Sequence, residues 1–284
     1  MNKSVHLPLL AVFVSLISIQ VGAAFAKSAF FVVGPFGMSA LRVGIAMLLL
    51  AAVFKPWQLR TDKKGWKTLA IYGVMMGAMN ILIYMSFKYI PVGIAISIEV
   101  LGPLTVAMLA SRQKSDLVWI SFAILGLLLL PLGNQNGSLD PRGIAYVIAA
   151  AFCWGMYVRV GSKAAEFGSR GVAIGTVFAS LFIVPIGIYQ SGFALLIPDI
   201  FMLGFLIAIM SSALPFLLDI YALRRLSSNT FGILMSASPA VSALSGFFIL
   251  EEKLSFAQSS GILAITVACM GATYCAKSKT VKNK

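Results

Sequence analysis

The sequence predicts an all-α integral membrane protein of ten transmembrane helices, arranged as two inverted five-helix repeats. Three observations predict this. Of 284 residues, 60% are hydrophobic and only 11% are charged, whereas a soluble domain carries about 25% charged residues. The apolar runs are about 18–23 residues long, and ~20 residues of helix rise ~30 Å, enough to cross the hydrocarbon core. A weak repeat at an offset of 136 residues pairs Pro103 with Pro239, Lys27 with Lys163, and Asp116 with Glu252. Backbone groups find no partners in lipid, so only helices or a closed barrel can span. The runs lack the period-two alternation of barrel strands, which leaves helices.

The ten spans are expected near 7–27, 36–54, 66–87, 92–111, 117–132, 143–162, 170–189, 200–223, 229–249 and 256–276. The first follows Lys3 and ends near Ala24-Phe25-Ala26, which resembles a signal peptide with its cleavage site. Cleavage would leave nine spans and break the repeat, so a retained first helix is expected. Between spans two and three lies the longest polar connection, Lys55 to Lys67. Span three carries Gly73-Val-Met-Met-Gly77, and span seven begins with Gly171-Val-Ala-Ile-Gly175. Both are small-x-x-x-small patterns suited to close packing within the chain. Asp140-Pro141 reads as an N-cap followed by a proline in the first turn of span six, and Ser255 can cap span ten. Pro103 and Pro239 sit inside spans four and nine, where each breaks the helix.

Residues 1–137 and 138–284 are therefore expected to be two repeats of five spans. Five is odd, so the second half must enter the membrane from the opposite side. Inverted repeats recur in secondary transporters, with the site near the midplane where the halves meet.

The net charge of +13 is topological. With a cytoplasmic N-terminus, 17 of the 22 Lys and Arg residues fall on one side. They are Lys3, Lys55, Arg60, Lys63, Lys64, Lys67, Arg112, Lys114, Arg159, Lys163, Arg170, Arg224, Arg225 and the tail lysines Lys277, Lys279, Lys282 and Lys284. The other side holds Lys27, Lys88, Arg142 and Lys253, and Arg42 lies inside a span. This positive-inside pattern places both termini in the cytoplasm and argues against nucleic acid as a partner.

Polar residues inside the spans are the candidate site. Glu99 lies about 11 Å along span four at 1.5 Å per residue, where a charge costs ~2.5–3.5 kcal/mol on insertion scales. It must face a wet cavity or a partner, or be protonated; the structural alternative is a buried carboxyl satisfied by neighbouring hydroxyls. Pro103 removes the helical hydrogen bond to the Glu99 carbonyl and frees an acceptor beside the carboxylate. Together they can bind an ammonium group and alternate it with a proton. Arg42 can receive a carboxylate through its planar fork, or pair with Glu99. Asp219 lies deep in span eight, within reach of Arg224 and Arg225, and serves either structure or function. Gln20, Asn80, Tyr84, Trp154, Tyr157 and Ser212 also interrupt apolar helices, and each can donate a hydrogen bond into a cavity. Ser236 stands near Pro239.

No Ser/His/Asp set, metal-ligand spacing, phosphate-cradling loop or Walker motif is present. Neither an enzyme, a metal site nor a cofactor is expected. Cys153, Cys269 and Cys275 form no disulfide framework.

Several segments carry a resemblance: Ser18-Ile-Gln-Val-Gly22, Ala26-Lys27-Ser28, Ala40-Leu-Arg42, Phe54-Lys-Pro-Trp57, Gly93-Ile-Ala95, Glu99 with Gly102-Pro103-Leu104, and Phe231-Gly-Ile-Leu-Met-Ser236. Together they resemble the drug/metabolite transporter superfamily, EamA type, over essentially the whole chain. Within it they resemble the threonine and homoserine exporters of the bacterial inner membrane. The resemblance implies export of small amino acids driven by the proton gradient, with Gln20, Arg42, Glu99 and Asp219 carried over by position. Asp219 stands where the longer Glu is expected, and Ser238 precedes Pro239 where the exporters resemble a Glu-Pro pair. The alternatives are a broader exporter of drugs or aromatic amino acids, an intramembrane enzyme, or a non-transporting scaffold.

Overall fold

A computed structural model describes residues 6–111, 116–132, 139–223, 225–226 and 228–282, which form helices and turns with no strand among them. Lys3, Arg112, Lys114, Arg224, Lys284 and the boundary at 137–138 lie outside the described residues, as do the side chains of Asp116, Cys275 and the other tail lysines. Seven described stretches are long and apolar enough to cross a membrane, and Val92–Val106 and Leu117–Leu129 are shorter apolar helices. The chain is a multi-pass membrane protein.

α1 (His6–Ser28) turns at Ala29 directly into α2 (Phe30–Phe54), which begins earlier than expected. Gly34 explains the difference: at φ 65 it leaves the helix just before Pro35 and then lets the helix resume. Asp62 caps α3 (Lys63–Phe87) by accepting from the Gly65 N–H at 2.8 Å. Span four is split into α4 (Val92–Glu99) and α5 (Leu101–Ser111), the break falling four residues after Ile96 and three before Pro103. The proline has no N–H for the Glu99 carbonyl. α6 is Asp116–Leu129.

Asp140 caps α7 (Pro141–Ala164), accepting from the Arg142 N–H at 2.9 Å. The Arg142 side chain adds two further hydrogen bonds, and together they hold the Asp140 carboxyl below its usual range. α8 is Gly168–Ser191. Span eight is interrupted by a π-turn, Ile209–Ala213, between α9 (Pro198–Ala208) and α10 (Leu214–Leu223). Span nine breaks between α11 (Ser228–Met235) and α12 (Ser238–Leu250), with Pro239 in the first turn of α12. α13 is Phe256–Lys282. Ser255 caps it, its hydroxyl accepting from Gln258 N–H at 3.1 Å while its own N–H donates to the Gln258 side chain at 2.9 Å.

The helices pair across the sequence. α2 packs on α8, α3 on α7 and α8, α4 on α12, and α6 on α13. α1 packs on α10 and α12, α2 also on α9, α5 on α7, and α11 on α13. Small residues set the closest approaches. A Cβ at Gly73 would meet the Gly175 carbonyl, and one at Gly77 would meet Phe182. The two glycine patterns thus pack α3 against α8 within one chain.

One rim is tied by charge. Lys27, at the end of α1, bonds Glu252 at 2.6 Å and the Ile90 carbonyl at 3.2 Å. The second Glu252 oxygen accepts from the Val92 N–H at 2.9 Å, at the N-terminus of α4. A carboxylate there is favoured by the exposed N–H groups of the first turn.

Candidate functional site

The break between α4 and α5 opens onto a cavity of about 430 Å³ in the middle of the bundle. Seven of the residues singled out from the sequence line it: Gln20 of α1, Arg42 of α2, Asn80 and Tyr84 of α3, Glu99 of α4, Trp154 of α7 and Ser236 of α11. Pro103 also lies on its wall. A larger cavity of about 730 Å³ lies between α5, α6 and α7, but among the described residues Thr105 and Arg159 are its only polar lining side chains. It offers little chemistry, and several of its walls, such as Phe152 and Leu109, are exposed on the outside of the bundle.

Arg42 is held from three sides. Its Nη1 donates to the Tyr84 hydroxyl at 3.1 Å, its Nη2 to the Ser211 carbonyl at 3.4 Å, and its Cζ stands 5.4 Å from the Tyr84 ring centre. Pro215 favours this, because it has no N–H to give the carbonyl of Ser211, four residues before it. The Met210 carbonyl accepts from the Ser18 hydroxyl at 2.7 Å, and the Ser211 carbonyl is left to Arg42. Gly22 admits Ser211 to this place, since a Cβ there would run into the Ser211 hydroxyl. The Arg42 Nε remains buried with no partner among the described residues.

Glu99 is 5% exposed, and its Oε1 has no hydrogen-bond partner among the described residues. The two charges face the same cavity without forming an ion pair. An unpaired buried charge costs several kcal/mol, so Glu99 either meets a partner in the cavity or holds a proton. The Gln20 Oε1 is likewise buried and unpartnered.

The lining residues of α11 and α13 carry hydroxyls. Ser236 donates to the Gly232 carbonyl at 2.8 Å and Thr273 to the Cys269 carbonyl at 2.7 Å, and the two oxygens stand 3.4 Å apart. Asn80 uses its Nδ2 on the Met76 carbonyl at 2.8 Å.

Three residues singled out from the sequence lie elsewhere. Tyr157 stacks on Tyr72 with ring centres 4.8 Å apart and hydroxyls 3.0 Å apart, beside a separate smaller cavity. Ser212 belongs to the π-turn and is not on the cavity wall. Asp219, on α10, faces Ser15, and its Oδ1 is buried without a partner among the described residues. Arg225 does not neutralise it, since its guanidinium bonds the Tyr221 carbonyl at 3.2 Å and lies 3.9 Å from the Tyr221 ring. Pro239 is buried at the start of α12, away from the cavity wall.

Ser18, Ser211 and Thr273 belong to the site but carry no distinguishing sequence signal. A lone Ser or Thr in an apolar helix commonly bonds its own backbone, and Ser211 takes its part through its carbonyl rather than its side chain.

The sequence matches the EamA-like transporter family over residues 141–274. It is similar to the threonine/homoserine exporter RhtA of Escherichia coli (strain K12), at 45% identity over 271 residues, covering 95% of this chain and 92% of the relative. RhtA of Salmonella typhimurium (strain LT2) is 44% identical with the same coverage. A protein of known crystal structure shares the fold at TM-score 0.65 and 17% identity, covering 94% of this chain and 98% of its own.

Proposed function

Because the chain belongs to the EamA-like transporter family, we propose that it exports small amino acids of the threonine and homoserine kind across the bacterial inner membrane, in exchange for protons. The observation that carries this reading is that Arg42 and Glu99 line one buried cavity with no ion pair between them, each keeping one unpartnered polar atom. The guanidinium receives the substrate carboxylate through its free Nε, and the Glu99 carboxylate receives the ammonium group. Glu99 gives up a proton when the ammonium binds and regains one when the site empties. Export of amino acid is thereby tied to proton entry.

The proposed route is alternating access between two five-helix repeats, 1–137 and 138–284. The helix pairings support it. Exchanging the first five spans for the last five maps α2–α8 and α6–α13 onto themselves. The same exchange maps α3–α7 onto α1–α10, α3–α8 onto α2–α9, and α5–α7 onto α1–α12. With the basic rim in the cytoplasm, as the distribution of Lys and Arg favours, the rim tied by Lys27 and Glu252 faces outward. That seam joins the two repeats and must part for release.

Purified protein in liposomes tests the reading. An imposed proton gradient drives labelled threonine or homoserine into or out of the vesicles, and dissipating the gradient removes the accumulation. Flux no greater than in protein-free liposomes, from protein that is folded and inserted, contradicts it. Competition by aromatic amino acids and drugs separates this reading from a broader exporter.

A further inference from the structure

We propose that the facing hydroxyls of Ser236 and Thr273 recognise the side-chain hydroxyl of the substrate and set the preference for hydroxy amino acids over apolar ones. This rests on the reading of the cavity as an amino-acid site.

Each hydroxyl owns one proton and two lone pairs. In both residues the proton is spent on the carbonyl four residues back, at 2.8 Å for Ser236 and 2.7 Å for Thr273. Those are ordinary O–H···O distances, whereas the 3.4 Å between the two side-chain oxygens is too long for one. The pair therefore presents lone pairs toward a common point and no proton. Such a point accepts a donor and offers none.

Two groups on an amino acid can donate there, the ammonium and a side-chain hydroxyl. The ammonium has a stronger partner in Glu99, because a bond between two charged groups is about twice as strong as a neutral one. That leaves the pair for the hydroxyl. The walls of the cavity thus differ in polarity: donors at Arg42, an anion at Glu99, and neutral acceptors on α11 and α13. A site built to bond a hydroxyl rejects the analogue lacking it, because its own buried groups go unpaired.

The test is competition for labelled threonine uptake in proteoliposomes, comparing unlabelled threonine with valine, in which a methyl replaces the hydroxyl. Wild-type protein should favour threonine. In Thr273→Val and in Ser236→Ala that ratio should fall by about tenfold, the equivalent of one neutral hydrogen bond. Thr273→Ser keeps the hydroxyl and should keep the ratio. An unchanged ratio in both Thr273→Val and Ser236→Ala overturns the proposal. So does an equal loss in Thr273→Ser, which would point to packing of the methyl group. If wild-type protein carries threonine and only the ratio fails to move, the amino-acid reading survives and this proposal does not. If wild-type protein carries neither threonine nor homoserine, both fall.

Discussion

Arg42 shows how much of a site is set by groups that never touch a ligand. Its guanidinium is positioned by Tyr84 and by the Ser211 carbonyl, which lacks its usual helical donor because Pro215 stands four residues on. Arg42→Lys keeps the charge but loses the planar fork and both of these anchors. The KM for threonine should rise more than about tenfold, read from the concentration dependence of initial uptake, with a smaller change in the maximal rate. Intramembrane charges are legible in a sequence because each is so costly that it demands an explanation. Glu99 and Arg42 therefore stand out. Ser211 does not, and the reason is geometric. The π-turn adds a residue to one helical turn and shifts the phase where Ser211 meets Gly22 of α1. No periodicity argument registers such a shift. Asp219 is equally visible in the sequence, but its neighbours are set by tertiary packing, and Arg225 turns to Tyr221 instead.

At the scale of elements, the spans and their breaks follow from apolar length and proline chemistry. Pro103 and Pro239 each mark a span that the structure divides into two helices. What the sequence leaves open is which surfaces touch. Gly102 reads as part of a Gly-Pro break, yet its larger role is contact, since a Cβ there would strike the Ala151 carbonyl of α7. Gly102→Ala should lower stability by ~1–3 kcal/mol, the cost of overpacking a close interface. Thermal unfolding in detergent measures this. Gly161 provides the contrast, because a Cβ there meets Tyr72 at 3.4 Å, an ordinary contact. Gly161→Ala should be neutral or slightly stabilising, since alanine is the better helix former. Equal losses at the two positions would remove the packing argument for α5 and α7.

At the scale of the whole molecule, the 136-residue offset is the sequence signal behind the two proposed repeats, and helices before residue 137 lie against helices after it. The offset relates Lys27 to Lys163 and Asp116 to Glu252, but it does not predict that Lys27 bonds Glu252 across the halves. That contact depends on how the halves dock, which local pattern does not encode. If the seam holds the outer rim shut, Lys27→Met shifts the population toward the outward-open form. On a cysteine-free background carrying Phe87→Cys, an impermeant thiol reagent added from outside should then label several-fold faster than it does with Lys27 intact. Unchanged labelling would separate the ion pair from the gate.

The account turns on one cavity in which Glu99 exchanges a proton for the ammonium group of an amino acid held by Arg42. Calorimetric titration of the purified protein with threonine, in two buffers of different ionisation heat, measures this directly. Wild-type protein should release about one proton per threonine bound, with the release set by linkage between binding and protonation. Glu99→Gln should bind more weakly and release none. Threonine binding with no proton release by wild-type protein, or the same release from Glu99→Gln, would contradict the account.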